Sequence, residues 1–245
     1  MILQEWFMNI DGNPFVSFGT SHLIMILIYV IGIIFFFFTR KHIVANQFIY
    51  NLIRWSLFSI LVLSEISYQI WTATNGIWSL SEYIPLHLCG IASIIGAIAL
   101  ASLNRKLIII SFFIGFIPAF LAIITPELLY EFPHFRFLQF FVSHLAISWT
   151  GIFLLTTRSI KVTFKSMLET YAYVLIYSGI IGFVVNPLLG SNYLYLASPP
   201  AASTPLDLLG SGVWYYVNLC LLAYVVFFGL WLVVKLIDIR NGEVS

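Results

Sequence analysis

Residues 84–102 read IPLHLCGIASIIGAIALAS, an apolar run long enough to cross a bilayer that carries an imidazole, His87, and a thiol, Cys89, near its head. Runs of similar length recur along the chain, at about 21–38, 53–74, 107–125, 137–157, 167–187 and 212–236. With 61% hydrophobic and 9% charged residues over 245 positions, a soluble domain is excluded. The expected fold is all-α: a polytopic membrane helix bundle of seven transmembrane helices, forming a single transmembrane domain over residues 1–245. The first run has neither the preceding basic residues nor the following small-residue cleavage site of a removable signal, so it is expected to stay as an anchor.

Basic residues set the expected orientation. Arg40, Lys41 and Arg54 lie between the first and second runs, Arg105 and Lys106 between the third and fourth, Arg158, Lys161 and Lys165 between the fifth and sixth, and Lys235 and Arg240 at the end. Only Arg136 falls on the other side, so the positive-inside rule predicts an outside N-terminus and a cytoplasmic C-terminus. An Ile- and Phe-rich multi-pass chain of this kind suits the bacterial cytoplasmic membrane. The formal charge of +1 and the scattered basic residues give no sign of nucleic-acid binding. Cys89 and Cys220 both lie in apolar runs, which argues against a disulfide framework; no spaced ligand set suggests a metal, and no cofactor is expected. The oligomeric state is left open.

Two outer segments carry more than a connection needs. One, after Pro126, contains Pro133-His134-Phe135-Arg136; the other, over 187–211, contains Asn192-Tyr193, Pro199-Pro200 and Leu206-Asp207-Leu208-Leu209. Both are expected to cover the outer mouth as a lid or re-entrant segment, the alternative being an interfacial aromatic belt with ordinary turns.

Ionisable groups at membrane depth are functional-site candidates. In the second run Glu65, Tyr68, Gln69 and Thr72 follow at three- and four-residue steps and form one polar helix face in the outer half. In the third, Cys89 shares its face with the small residues Ala92, Ser93 and Gly96, whereas His87 lies about 200° away on a regular helix. The partner of Cys89 must then come from another helix. His144, about two turns into the fifth run, arrives at comparable depth. An apolar site disfavours the thiolate that acts as nucleophile, and a facing imidazole is the usual remedy. For Cys89 the bland reading is a small inert hydrophobe, and for His144 a structural hydrogen bond between helices. His22, Gln139, Asn186 and Asn218 complete the outer polar set, with Asn186 ahead of the helix-ending Pro187.

The stretch Pro85-Leu86-His87-Leu88-Cys89, the pair Gln139 and His144, and Asn192-Tyr193-Leu194-Tyr195 leading to Leu206-Asp207-Leu208-Leu209-Gly210 resemble the YwaF-like family of bacterial integral membrane proteins, from Met1 to about Val234. That family is distantly similar to a eukaryotic transmembrane protein that transfers polyunsaturated acyl chains onto ether lysophospholipids. The resemblance implies acyl chemistry in which Cys89 and His144 are the carried-over residues. The expected function is acyl transfer on lipids of the outer leaflet. Cys89 forms a thioester with the acyl group of a membrane phospholipid or lipid-linked donor. His144 acts as general base, Glu65 or Gln69 orients it, and a lyso-acceptor resolves the thioester. His87, Gln69, Gln139, Asn186, Asn218 and His22 are the candidate substrate-binding residues. The alternative is a proton-coupled transporter or lipid-binding protein using Glu65, His87 and His144. It is disfavoured by inner halves nearly devoid of polar residues and by the lack of an inverted repeat. A scaffold without chemistry is the third possibility.

Overall fold

The computed structural model describes residues 6–8, 14–198 and 205–240 and divides into two compact units, Met1–Arg158 and Ser159–Ser245. The regular structure among the described residues is helical, with no strand beyond an isolated bridge between Pro14 and Tyr130. In the first unit the helices are α1 (Thr20–Ala45), α2 (Gln47–Thr74), α3 (Leu88–Ser102), α4 (Arg105–Ile124) and α5 (Phe135–Thr157). The second unit holds α6 (Phe164–Ile180) and α7 (Val213–Arg240); α6 is prolonged by a π-helical turn, Ile181–Val185, and a last α-helical turn, Asn186–Leu189. Six helices are long and apolar enough to cross a membrane, which makes this a multi-pass membrane protein; α3 is apolar but only 15 residues long.

Short polar connections end these helices by capping rather than by length of loop. Asn46 accepts from the N–H groups of Phe48 and Ile49, and Asn104 from those of Lys106 and Leu107, so α1–α2 and α3–α4 turn almost at once. Thr163 and Ser166 cap α6 reciprocally. The C-terminal end of α3 is closed by Arg54, whose Nε donates to the Leu100 carbonyl at 2.6 Å and Nη2 to that of Ala101 at 2.8 Å. Two carbonyls that the helix leaves unpaired are thereby satisfied.

Helix α5 is the axis of the first unit, in contact with α1, α2, α3 and α4. Its apolar window is 78% buried, against 22% for α1 and α2, and this burial explains why it carries serines, threonines and glycine on several faces. Small residues set the spacing. A Cβ on Gly151 would stand 2.9 Å from Phe112 Cα, and one on Gly115 would stand 3.1 Å from Ile147 Cγ2 and 3.9 Å from Ala92 Cβ. The pairs Phe112–Gly151 and Gly115–Ile147 make α4 and α5 antiparallel. Ala92–Gly115 and the two-residue turn at 103–104 do the same for α3 and α4. Helices α3 and α5 consequently run parallel, with Gly96 against Thr150 at 3.4 Å. A core of Met25, Tyr29, Ile123, Phe137, Phe141 and Leu145 joins α1, α4 and the N-terminal part of α5.

Candidate functional site

Cys89 lies in the first turn of α3, not one to two turns inside a longer helix, because the expected span from 84 begins as helix only at Leu88. His87 is its N-cap and makes no side-chain capping bond, so the N–H groups at the head of α3 have no partner within the helix. The Pro85–Gly90 stretch explains this start. A Cβ on Gly90 would come within 2.7–2.8 Å of the Pro85 backbone, so the incoming chain lies directly on the first helical turn, and only glycine admits it. Cys89 itself is partly exposed.

The register fixes the level of the thiol. Stepping back seven residues, about 10 Å, from the Gly96–Thr150 contact along the parallel pair brings Cys89 level with Ser143 and His144. On the antiparallel neighbour, the contacts of Leu61 with Gly96 and of Arg54 with Leu100 and Ala101 bring Cys89 level with Tyr68, one turn beyond Glu65. Three helices of the first unit thus carry polar residues at one height.

His144 is buried, with Nδ1 2.7 Å from the Phe140 carbonyl and its ring 4.2 Å from that of Phe140. A carbonyl can only accept, so Nδ1 bears the proton and the neutral ring keeps its lone pair on Nε2. The ring is held through Nδ1 by the backbone of its own helix, whereas Glu65 and Gln69 were expected to orient it. Those two residues serve each other and the 75–87 segment: Gln69 donates to Glu65 Oε1 and to the Tyr83 carbonyl, both at 2.7 Å, and accepts from Trp78 Nε1 at 2.7 Å. Gln139 donates to the Ser64 carbonyl at 3.3 Å and accepts from Arg136, tying α5 to α2.

Arg136, absent from the expected site, stands beside these groups. Its guanidinium lies 4.0 Å from the Tyr68 ring centroid and 5.8 Å from that of Trp71. Glu65 is close enough to feel its charge. The sequence marked Arg136 as the sole outer basic residue, the signal that could have found it.

The remaining expected residues are committed to structure or lie elsewhere. His22 Nδ1 accepts from the Phe18 N–H at 2.8 Å and Nε2 donates to the Ile123 carbonyl at 2.7 Å, so both ring nitrogens are occupied by backbone. His87 is within Coulombic reach of Glu127. In the second unit, Asn186 Oδ1 accepts from Ser191 Oγ and the Tyr193 N–H while Nδ2 donates to the Tyr193 carbonyl, and Asn218 donates to the Leu209 carbonyl. No group of three or more metal-ligating side chains occurs among the described residues.

Both outer segments expected to be ordered are tied to their surroundings where they are described. Over 126–134, Phe15 N–H donates to the Leu129 carbonyl, while Glu131 accepts from Ser21, the Val16 N–H and the Phe132 N–H. Asn192 holds Ala197 and Ser198 in the other; Pro199-Pro200 lie outside the described residues. The segment over 75–87, which the sequence did not single out, is the one tied to Gln69.

The family model that matches this chain is that of the TMEM164 family, over residues 17–231. No curated protein and no solved structure matches.

Proposed function

The chain belongs to the TMEM164 family, and from that premise we propose that it is a membrane-embedded acyl-transfer enzyme with Cys89 as nucleophile and His144 as general base. The observation that carries this reading is the common level of a thiol in the first turn of α3 and an imidazole whose Nε2 lone pair is left for proton transfer.

In the first half-reaction His144 Nε2 takes the Cys89 proton and Sγ attacks the carbonyl carbon of an acyl ester. The tetrahedral oxyanion has donors in the unpaired first-turn amides of α3, where the helix dipole also favours negative charge. Collapse breaks the ester C–O bond, the imidazolium protonates the departing lyso-oxygen, and the acyl group remains as a thioester. In the second half-reaction the hydroxyl of a lyso-acceptor gives its proton to Nε2 and attacks the thioester. The C–S bond breaks and the thiol is restored with the proton from His144. Water in place of the acceptor makes the same machinery a hydrolase. Acyl-bearing phospholipids of the surrounding bilayer are the substrate class, in keeping with the distant similarity through which only Cys89 and His144 are carried over from a lipid acyl-transfer protein.

Seven crossings with an outside N-terminus belong to the same reading. At 15 residues α3 is about 22 Å long, roughly 8 Å short of the hydrocarbon thickness. On this reading the non-helical residues 75–87 complete its path, with Cys89 below the extracytoplasmic surface at the depth of lipid esters.

The test is turnover of labelled phospholipid by purified protein, with mass spectrometry for an acyl group on Cys89. Cys89→Ala and His144→Ala are each expected to abolish turnover while inserting and folding normally. Full activity in Cys89→Ala would end the nucleophilic reading, and proton-coupled uptake that survives that substitution would favour transport.

A further inference from the structure

Arg136 is hard to account for as a structural residue. It is the second residue of α5, in the turn where unpaired N–H groups already make the potential positive and a cation is disfavoured. Among the described residues no carboxylate pairs with it at ion-pair distance, and its one hydrogen bond runs from Nη1 to the neutral amide of Gln139. Four of the five guanidinium N–H donors are thus unassigned. Its charge reaches the carboxylate of Glu65, and that carboxylate is bonded to Gln69 instead.

The surroundings hold the cation in place without neutralising it. The guanidinium lies over Tyr68 at 4.0 Å, and the phenols of Tyr83 and Tyr130 are within its electrostatic reach. Tyr83 is fixed by Gln69 through its carbonyl, and the Tyr68 and Tyr83 rings meet at 5.9 Å. Although helical side chains lean toward the N-terminus, this one turns back to Gln139, inward along α5 in the direction of His144. Its aromatic partner Tyr68 is the α2 residue level with Cys89.

A planar fork with phenolic hydroxyls around it matches a tetrahedral oxyanion with two unesterified oxygens, and Arg is the side chain that binds such a group bidentately. We propose that Arg136, framed by Tyr68, Tyr83 and Tyr130, binds the phosphate ester of the substrate's head group and thereby holds the glycerol esters at the height of Cys89. The choice of a lipid rests on the acyl-transfer reading above; the anion site itself does not. Arg136 is then a specificity-determining residue: it selects phosphate-bearing glycerolipids over diacylglycerols.

The experiment measures binding to the full chain in detergent micelles by native mass spectrometry. The probes are dioleoylphosphatidylglycerol, dioleoylglycerol with the same chains, and water-soluble glycerol 3-phosphate. The wild type is expected to prefer the phospholipid by about tenfold or more, the scale of a charge-assisted bidentate contact. Arg136→Gln should erase the preference without changing dioleoylglycerol binding, and Arg136→Lys, which keeps charge but loses the fork, should retain part of it. Displacement of phospholipid by glycerol 3-phosphate would extend the site to phosphate esters in general; resistance to it would confine the site to lipid head groups. Equal uptake of the two lipids by the wild type overturns the proposal without any variant, as does an undiminished preference in Arg136→Gln. Cys89→Ala separates the two readings: if it keeps turnover the catalytic reading falls, while the phosphate preference is still measured independently.

Discussion

His134 shows how much one side chain decides at the head of α5. Its Nδ1 accepts from the Arg136 N–H at 3.1 Å, capping α5, and its Nε2 donates to the Met8 carbonyl at 3.2 Å. The cap requires a neutral ring. Burial holds this imidazole below its ordinary range; the Met8 carbonyl works against that, and the Arg136 charge adds to it. The fold therefore binds fewer protons here than the unfolded chain, and the stability tied to the neutral ring is lost as pH falls below about 6.5. Thermal unfolding in detergent is expected at lower temperature at pH 5 than at pH 7, with a smaller drop in His134→Asn, whose amide caps at either pH. Glu131 acts further down. Desolvation raises its pKa, but hydrogen bonds from Ser21 and the Phe132 and Val16 amides, with the His22 ring, outweigh that and hold it below the carboxylate range. Its contribution is present above the ordinary carboxylate pKa and vanishes as pH drops through the lowered value. Gln69 gives a third residue-scale outcome. Gln69→Leu removes bonds to Glu65, Tyr83 and Trp78 together, and a loss of about 1–3 kcal/mol in stability is expected, with turnover reduced at least tenfold. Of these hydrogen-bond partners, helical spacing places Glu65 on the face of Gln69, but not Tyr83, Trp78 or Met8, which lie outside the helices of the first unit in segments whose path depends on tertiary packing.

At the level of elements, helix existence was legible and helix ends were not. Apolar runs marked all seven helices, since burial or lipid contact demands them whichever way the chain turns. The start of α3 was placed four residues early, because Ile84 and Leu86 are as apolar as the helix itself. What stops the helix at Leu88 is the Pro85 backbone resting on Gly90, a contact between residues of one motif whose geometry no periodicity reveals. Gly90→Ala is accordingly expected to push that backbone aside, with about 1–3 kcal/mol lost on thermal or chemical unfolding and turnover sharply reduced. At the other end of α3, Arg54→Ala leaves the Leu100 and Ala101 carbonyls unpaired. The expected loss is also about 1–3 kcal/mol, with Arg54→Lys recovering only part because a single ammonium cannot reproduce the fork. Unchanged unfolding in Arg54→Ala would show that water replaces the guanidinium. Arg54 entered the sequence reading only as one of the charges that orient the chain; its second role follows from where α3 ends.

For the molecule as a whole, the sequence by itself determined that this is an all-helical, multi-pass membrane protein with polar residues set into its apolar runs. The reason is energetic: in hydrocarbon only a helix satisfies its own backbone, so a run of apolar residues of sufficient length admits one structure, and polar exceptions stand out against it. Of the expected site residues, Asn186 and Asn218 lie in the second compact unit and the others in the first. Only the tertiary structure decided which polar residues share a level, which are already spent on backbone partners, and that Arg136 belongs among them. Those outcomes depend on the parallel register of α3 and α5, set by how closely Gly96, Gly115 and Gly151 let neighbouring helices approach, and on non-helical segments that fold back over the helix ends. Such distances between parts remote in sequence leave no period in the chain, because they are fixed by packing rather than by the local geometry of a helix.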